Sequence, residues 1–240
     1  MVGRVTDALP LAVANTAQLW TAVYTARGGL IDRRDSYLAL SGGRGGLRVQ
    51  ILSATPSAAD LAALTELIAA ADRTMVEDPY NTVDLSGTGL KSRQLPVMVR
   101  DRGPALPAPT LEVTRVDAAT LRTAENMVVN DFALEHFQPY REGEAFPPAL
   151  LDQDGVALYL IARDGATAGT CLTVTADGVG GIYWVTTVHE HRSHGVGRQL
   201  MHAVLADMAG LTVTLTAATA GRPLYDSLGF EVVTPATWWV

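Results

Sequence analysis

Arg192-Ser-His-Gly195-Val-Gly197 places an arginine and two glycines directly ahead of an apolar-periodic segment, Arg198 to Met208. Glycines at a helix start let the backbone approach a bound group closely. The N–H groups of the first turn have no intrahelical partner, and the helix dipole favours an anion in front of them. The chemistry on offer is capture of a phosphate or pyrophosphate through Ser193, His194, Gly195, Val196, Gly197 and Arg198. A tight strand-to-helix turn with no ligand would use the same residues. The dinucleotide fingerprint is not met, because it needs Gly-x-Gly-x-x-Gly and an acid about 20 residues further on. A Walker-type loop is not met either. Lys91 is the one lysine among 18 basic residues. It precedes Ser92, but Gly87 and Gly89 stand at the wrong spacing. Most ATP- and GTP-hydrolase chemistry is thereby excluded.

A second constellation, Leu224-Tyr225-Asp-Ser-Leu228-Gly229-Phe230, offers a phenol on a short helix. Its plain use is a core aromatic with the hydroxyl at a wet edge. His189, His191 and His194 fall within six residues. Their spacing is not His-Glu-x-x-His, so no metal site is expected. Ser41-Gly-Gly-Arg-Gly-Gly46 joins strand to strand and reads as a hairpin loop. The single cysteine, Cys171, excludes an intramolecular disulfide and a cysteine-cluster metal centre.

The elements that must position these residues follow from periodicity. Asp117 to Phe132 reads as a helix with Asp117 as N-cap. Phe137 to Pro148 is irregular. Val156 to Arg163, Thr167 to Thr175 and Gly181 to Thr187 read as strands, joined by Asp164-Gly165 and Asp177-Gly178 turns and therefore antiparallel. Arg198 to Met208 is a helix that Gly210 ends, and Leu211 to Ala217 a half-buried strand. Pro223 opens a short helix to Leu228, and Glu231 to Val240 closes as a strand. The N-terminal part has a similar rhythm: a helix over Ala17 to Ala26, strands at Ser36 to Leu40 and Leu47 to Leu52, a helix over Ala58 to Ala71, then strands at Thr74 to Glu77 and Leu95 to Val99. Asp84 to Leu90 can be laid on Leu224 to Phe230, matching Gly89 to Gly229 and placing Leu85 where Tyr225 stands. That is a weak internal repeat. Arg102 to Thr110 holds three prolines in nine positions and breaks helix and central strand alike. The division expected is 1–101, a linker 102–110, and 111–240.

Length and composition bound the rest. The chain has 240 residues, 48% hydrophobic and 18% charged, with a net charge of −7. One large or two modest domains with a real core are expected. The acidic balance argues against general nucleic-acid or anionic-membrane binding. No apolar run approaches a membrane span, and Met1 to Leu11 makes a poor signal peptide, so the cytoplasm is the expected location.

Taken together, the two motifs resemble the GNAT superfamily of acyl-CoA-dependent N-acetyltransferases. The resemblance covers Leu111 to about Val240. Its specific part is Tyr183 to Phe230, where strand, Arg192-x-x-Gly195-x-Gly197, helix, strand and Leu224-Tyr225-x-x-Leu228-Gly229-Phe230 stand in the family's order. It implies an α/β (α+β) fold with a mixed, mostly antiparallel sheet flanked by helices. It implies acetyl-CoA as co-substrate and no metal. The pantetheine arm would pair with the strand end Val185, Thr186 and Thr187. The loop Ser193 to Arg198 would hold the pyrophosphate, Arg192 occupies the family's Arg/Gln position, and Tyr225 stands where a general acid is often proposed. A phenol with an ordinary pKa of about 10 can protonate a departing thiolate of comparable basicity. Strand-end backbone would stabilise a developing oxyanion.

The sequence also departs from the family. Ala218 stands where many members carry asparagine, and Leu211 to Ala217 holds no acid. The general base is therefore open among His136, Glu142, Glu144, His189, Glu190 and water. The N-terminal half lacks the Arg-x-x-Gly-x-Gly motif. We expect a tandem protein with a degenerate N-terminal copy that cannot bind CoA. The expected activity is acetyl transfer from CoA to a primary amine of a small molecule or a protein. The alternative is a CoA- or acyl-CoA-binding sensor without turnover.

Overall fold

In the computed structural model, residues 8–103, 106–132 and 134–240 are described. Residues 1–7, on which most of the N-terminal leader reading rests, and residues 104–105 of the proline segment lie outside them. The chain divides into two compact units, Met1–Val99 with Thr216–Val240, and Arg100–Leu215.

The first unit begins with α1 (Ala8–Ala26). This helix starts nine residues earlier than its alanine-rich second half suggests, because Pro10 falls in the first turn, where no N–H is needed. Strands β1 (Leu30–Arg33), β2 (Tyr37–Ser41) and β3 (Leu47–Ile51) form antiparallel pairs. Helix α2 (Ala58–Ala70) follows, capped by Ser57, whose Oγ accepts from the Asp60 amide. It leads to β4 (Thr74–Asp78), parallel to β3, and after a 3-10 turn at Ser86–Thr88 to β5 (Ser92–Arg100). The C-terminal strand β11 (Glu231–Trp239) lies antiparallel between β4 and β5, giving the order β1-β2-β3-β4-β11-β5. Leu64 and Ile68 of α2 bury against Tyr37, Val49, Ile51, Val76 and Trp239 on one face. On the opposite side, Ala8 and Ala12 of α1 pack on Val97, Val99 and Ala236.

The second unit has β6 (Val113–Arg115), α3 (Leu121–Asp131), β7 (Val156–Arg163), β8 (Ala166–Ala176), β9 (Val179–Thr187), α4 (Val196–Asp207) and β10 (Thr212–Thr216). Its order is β10-β9-β8-β7-β6. The two predicted turns are present: Asp164, Gly165, Asp177 and Gly178 all have positive φ, as tight two-residue hairpins demand. Residues Ala168 to Val174 of β8 are buried on both faces, with α3 and α4 packed on the strand. Regular helix begins at Leu121 rather than Asp117. Asp117 caps the turn before it, its Oδ1 accepting from the amides of Ala119 and Thr120. The short edge strands β1 and β6 have too few residues to show an alternation.

The halves repeat one topology. α1, β1, β2, β3, α2, β4, a 3-10 turn and β5 correspond to α3, β7, β8, β9, α4, β10, α5 (Arg222–Ser227) and β11. In each half an antiparallel trio is followed by one parallel pair. Gly89 and Gly229, aligned on sequence, are both left-handed, with φ of 85° and 83°.

Candidate functional site

The parallel pairs of the two halves differ in one respect. β3 and β4 stay in register over four residues, from Leu47 opposite Thr74 to Gln50 opposite Glu77, close to the end of both strands. β9 and β10 are paired only from Val179 to Gly181. β9 then continues as Ile182–Thr187 beyond the end of that register. β10 itself runs on to Thr216, so the two strands part after Gly181. Parallel strands that part leave backbone N–H and C=O groups directed into the gap, where an extended guest can pair with them.

The stretch beyond that register is bent. Trp184 and Val185 together stand opposite Cys171, where the register with β8 shifts, and Trp184 has a φ of 50°. This is a bulge with a bulky residue in the left-handed region, a conformation costing about 1–2 kcal/mol. Thr186 donates through Oγ1 to the Trp184 carbonyl at 2.9 Å, and Phe146 packs its ring 5.1 Å from the indole. Val185 and Thr187 are half-buried and Thr186 is buried. Gly169 on β8 permits this approach, because a Cβ there would lie 2.6 Å from the Thr186 carbonyl.

From Thr187 the chain runs through a 3-10 turn, His189–His191, into the turn Arg192–Gly195 and then α4. Ser193 and Gly195 have φ of 62° and 79°, and a Cβ added at Gly195 meets nothing within 4 Å. The amides of Val196 and Gly197 in the first turn of α4 have no intrahelical acceptor, the Gln199 amide being the first to find one, at the Gly195 carbonyl, and alternating backbone handedness before them forms an anion-accepting concavity. His194 Nδ1 lies 2.7 Å from the Arg192 carbonyl. A carbonyl only accepts, so Nδ1 carries the hydrogen. The Arg192 side chain donates from Nε to the Thr187 carbonyl at 3.0 Å and from Nη2 to the Asp131 carbonyl at 3.2 Å. It ties the end of β9 to the C-terminus of α3, where a cation suits the helix dipole. Sequence reasoning gave Arg192 a place in the motif but not this clamp.

Val185–Thr187 and Arg192–Arg198 thus belong to one unit and one continuous stretch. Tyr225 belongs to the other unit. It sits on α5, 8% exposed, edge-on to Phe230 at 5.9 Å. Of the open base candidates, Glu142 pairs with Arg122 at 3.8 Å and Glu144 with Arg141 at 3.3 Å. His136 stacks against Phe137, and His189 and Glu190 lie in the 3-10 turn. A shallow cleft of about 410 Å³ opens on α3, lined by Arg122, Thr123, Asn126, Met127, Tyr140 and Glu142. None of the residues of β9 or the turn line it.

One group escaped the sequence reading. Glu125 on α3 is 1% exposed. Its Oε1 accepts from the amides of Ala145 and Phe146, and its Oε2 from the Gly143 amide and the Tyr140 hydroxyl, all at 2.8–3.0 Å. Burial and the Glu125 charge push the Tyr140 phenol up from its ordinary value. In sequence Glu125 is one acid on an amphipathic helix, and no local signal marks it as buried.

Comparison with known families completes the assignment. Residues 154–232 match the family Acetyltransferase (GNAT) domain, which spans β7 to the start of β11, including the end of β9 and the turn before α4. Residues 154–232 are therefore a GNAT domain. Comparison with curated proteins finds no match. Solved structures share the fold of the chain over nearly its whole length. A GCN5-related N-acetyltransferase from Kribbella flavida is 20% identical, with 93% of this chain and 94% of that one covered and a TM-score of 0.61. A GCN5-related N-acetyltransferase from Sphaerobacter thermophilus is 17% identical, covering 96% and 92%, with a TM-score of 0.52. A tandem GNAT protein from the clavulanic acid biosynthesis pathway is 14% identical, covering 88% and 82%, with a TM-score of 0.53. Among the described residues there is no group of three or more His, Cys, Asp or Glu placed to hold a metal, and no helix long and apolar enough to cross a membrane.

Proposed function

We propose that the protein is an acetyl-CoA-dependent N-acetyltransferase acting on a primary amine by direct attack in a ternary complex. The observation that carries this reading is the parting of β9 from β10 after Gly181, from which β9 runs on to Thr187 and leads through an open, glycine-bearing turn into α4. When bound, the co-substrate supplies an acyl group activated as a thioester. The backbone of Val185, Thr186 and Thr187 pairs with its extended arm. The amides of Ser193 to Arg198 hold its pyrophosphate, and Arg192 keeps strand end and turn in place. As the amine nitrogen bonds to the acyl carbon and the carbon–sulfur bond breaks, the Tyr225 hydroxyl gives its proton to the leaving sulfur. The amine's surplus proton leaves to water. The N-terminal half is the degenerate copy of the linear division 1–101, 102–110 and 111–240, and it binds no CoA because its parallel pair stays closed. A cytoplasmic location fits this chemistry.

A sensor that binds CoA without turnover is the second reading. It is favoured by β10, whose residues Thr212–Thr216 carry no acid, and by Ala218 after it.

Thermal unfolding with and without acetyl-CoA tests the binding. At 100 times its dissociation constant a ligand stabilises the fold by about 2.7 kcal/mol, a rise of several degrees. Gly195→Glu, which places a carboxylate in the turn, abolishes the rise. If the wild type shows no rise, the proposal falls. Thiol release with a panel of amines then separates enzyme from sensor.

A further inference from the structure

We propose that Glu125 is a positioning residue for the candidate site, acting through Phe146 and Trp184 on the bulge of β9. The inference rests on reading Val185–Thr187 at the end of β9 as the seat of the co-substrate.

The argument starts at Trp184. Its backbone is left-handed in the middle of a strand, and such a residue keeps that conformation only where its surroundings hold it. The Phe146 ring, 1% exposed, lies 5.1 Å from the indole at an interplanar angle of 42°. Phe146 sits in a segment without regular secondary structure, between the 3-10 turns Glu135–Phe137 and Pro148–Leu150. Such a segment needs another means of fixing its backbone. Glu125 provides it, with one carboxylate accepting from Gly143, Ala145 and Phe146 amides and from the Tyr140 hydroxyl. A carboxylate is acceptor-only, with room for four donors. A glutamine would turn an NH2 group toward some of those donors and leave them unpaired. The chain of contact runs from α3 through the 140–146 segment to the one residue whose backbone sets where β9 bends. Val185, Thr186 and Thr187 follow immediately.

The test uses the full chain with 5-fluorotryptophan in place of its four tryptophans, read by fluorine NMR, and CoA as probe. Trp184→Phe assigns the Trp184 resonance. In the absence of CoA, Glu125→Gln is expected to shift the Trp184 resonance while those of Trp20, Trp238 and Trp239 stay in place. It is also expected to weaken CoA binding about tenfold. Phe146→Leu keeps the four bonds of Glu125 and removes the ring, and it should reproduce both effects. The proposal is overturned if folded Glu125→Gln or Phe146→Leu leaves the Trp184 resonance unmoved. If Glu125→Gln does not fold, Phe146→Leu alone decides. Failure of the underlying reading looks different: the wild type would not bind CoA at all, while the ligand-free shift of Trp184 would still report on positioning.

Discussion

Single side chains divide into those whose chemistry is suppressed and those whose chemistry is on offer. Cys171 lies in β8, fully buried, and burial pushes its thiol well above the ordinary range. It should not react with a thiol reagent at pH 8 until the protein unfolds, giving one equivalent of thiol only in denaturant. A thiol-release assay for CoA will therefore run without background from the protein. Tyr225 is the opposite case under the proposed mechanism. Tyr225→Phe should lower turnover by roughly 10²-fold, in the range of general acid catalysis, and leave CoA affinity unchanged. Equal loss of affinity would remove the general-acid assignment. At this scale much was legible in sequence: Gly195, Arg192 and Tyr225 stand out by type and spacing. Glu125 does not, because its four partners lie 15 to 21 residues away, and only folding brings them together.

Elements set the site through their ends. β9 is a regular strand until Ile182, then bulges at Trp184, and its last carbonyl is held by Arg192. Arg192→Met removes both the strand-end tie and the tie to Asp131 while keeping the aliphatic stem. It should weaken CoA binding by about tenfold and leave global stability within about 1 kcal/mol, as expected for exposed hydrogen bonds. Calorimetric titration and urea unfolding read the two effects separately. Loss of stability with CoA affinity intact would show that the clamp serves the fold alone. The strand, its neighbours and its turns were predictable from alternation and from Asp-Gly pairs. The bulge was not, because Tyr183-Trp-Val-Thr carries no glycine or other mark of a left-handed residue.

At the scale of the whole molecule the two halves share a topology and differ in what fills them. In the first unit Arg48 is buried, its guanidinium 3.4 Å from the Trp20 ring centre and 5.0 Å from that of Trp238, and it pairs with Glu77 at 3.4 Å. Burial pushes Arg48 down to about 10 and Glu77 up, each opposed by its partner's charge. Arg48→Met leaves Glu77 buried without its cation and should cost about 3–5 kcal/mol at pH 7. The folded state then holds the Glu77 proton to a higher pH than the unfolded chain does. The cost is accordingly small below pH 4.5 and grows as pH rises above it. Urea unfolding at pH 4 and pH 8 checks this, and a cost independent of pH would contradict it. β11 supplies Trp239 and Ala236 to the cores around α2 and α1. A fragment of residues 1–101 lacks that strand and should show no cooperative unfolding by circular dichroism.

What the sequence by itself determined was local: helical and alternating periodicities, Asp-Gly turns, the glycine-bearing entry to α4, and the rhythm that repeats in the two halves. These depend on neighbouring residues, and a linear reading reaches them. Only the tertiary structure decided where β9 parts from β10, which carboxylate is buried, and that the last strand pairs with β4 and β5. Those outcomes depend on register and burial between segments far apart in the chain, where packing and hydrogen-bond satisfaction override local preference.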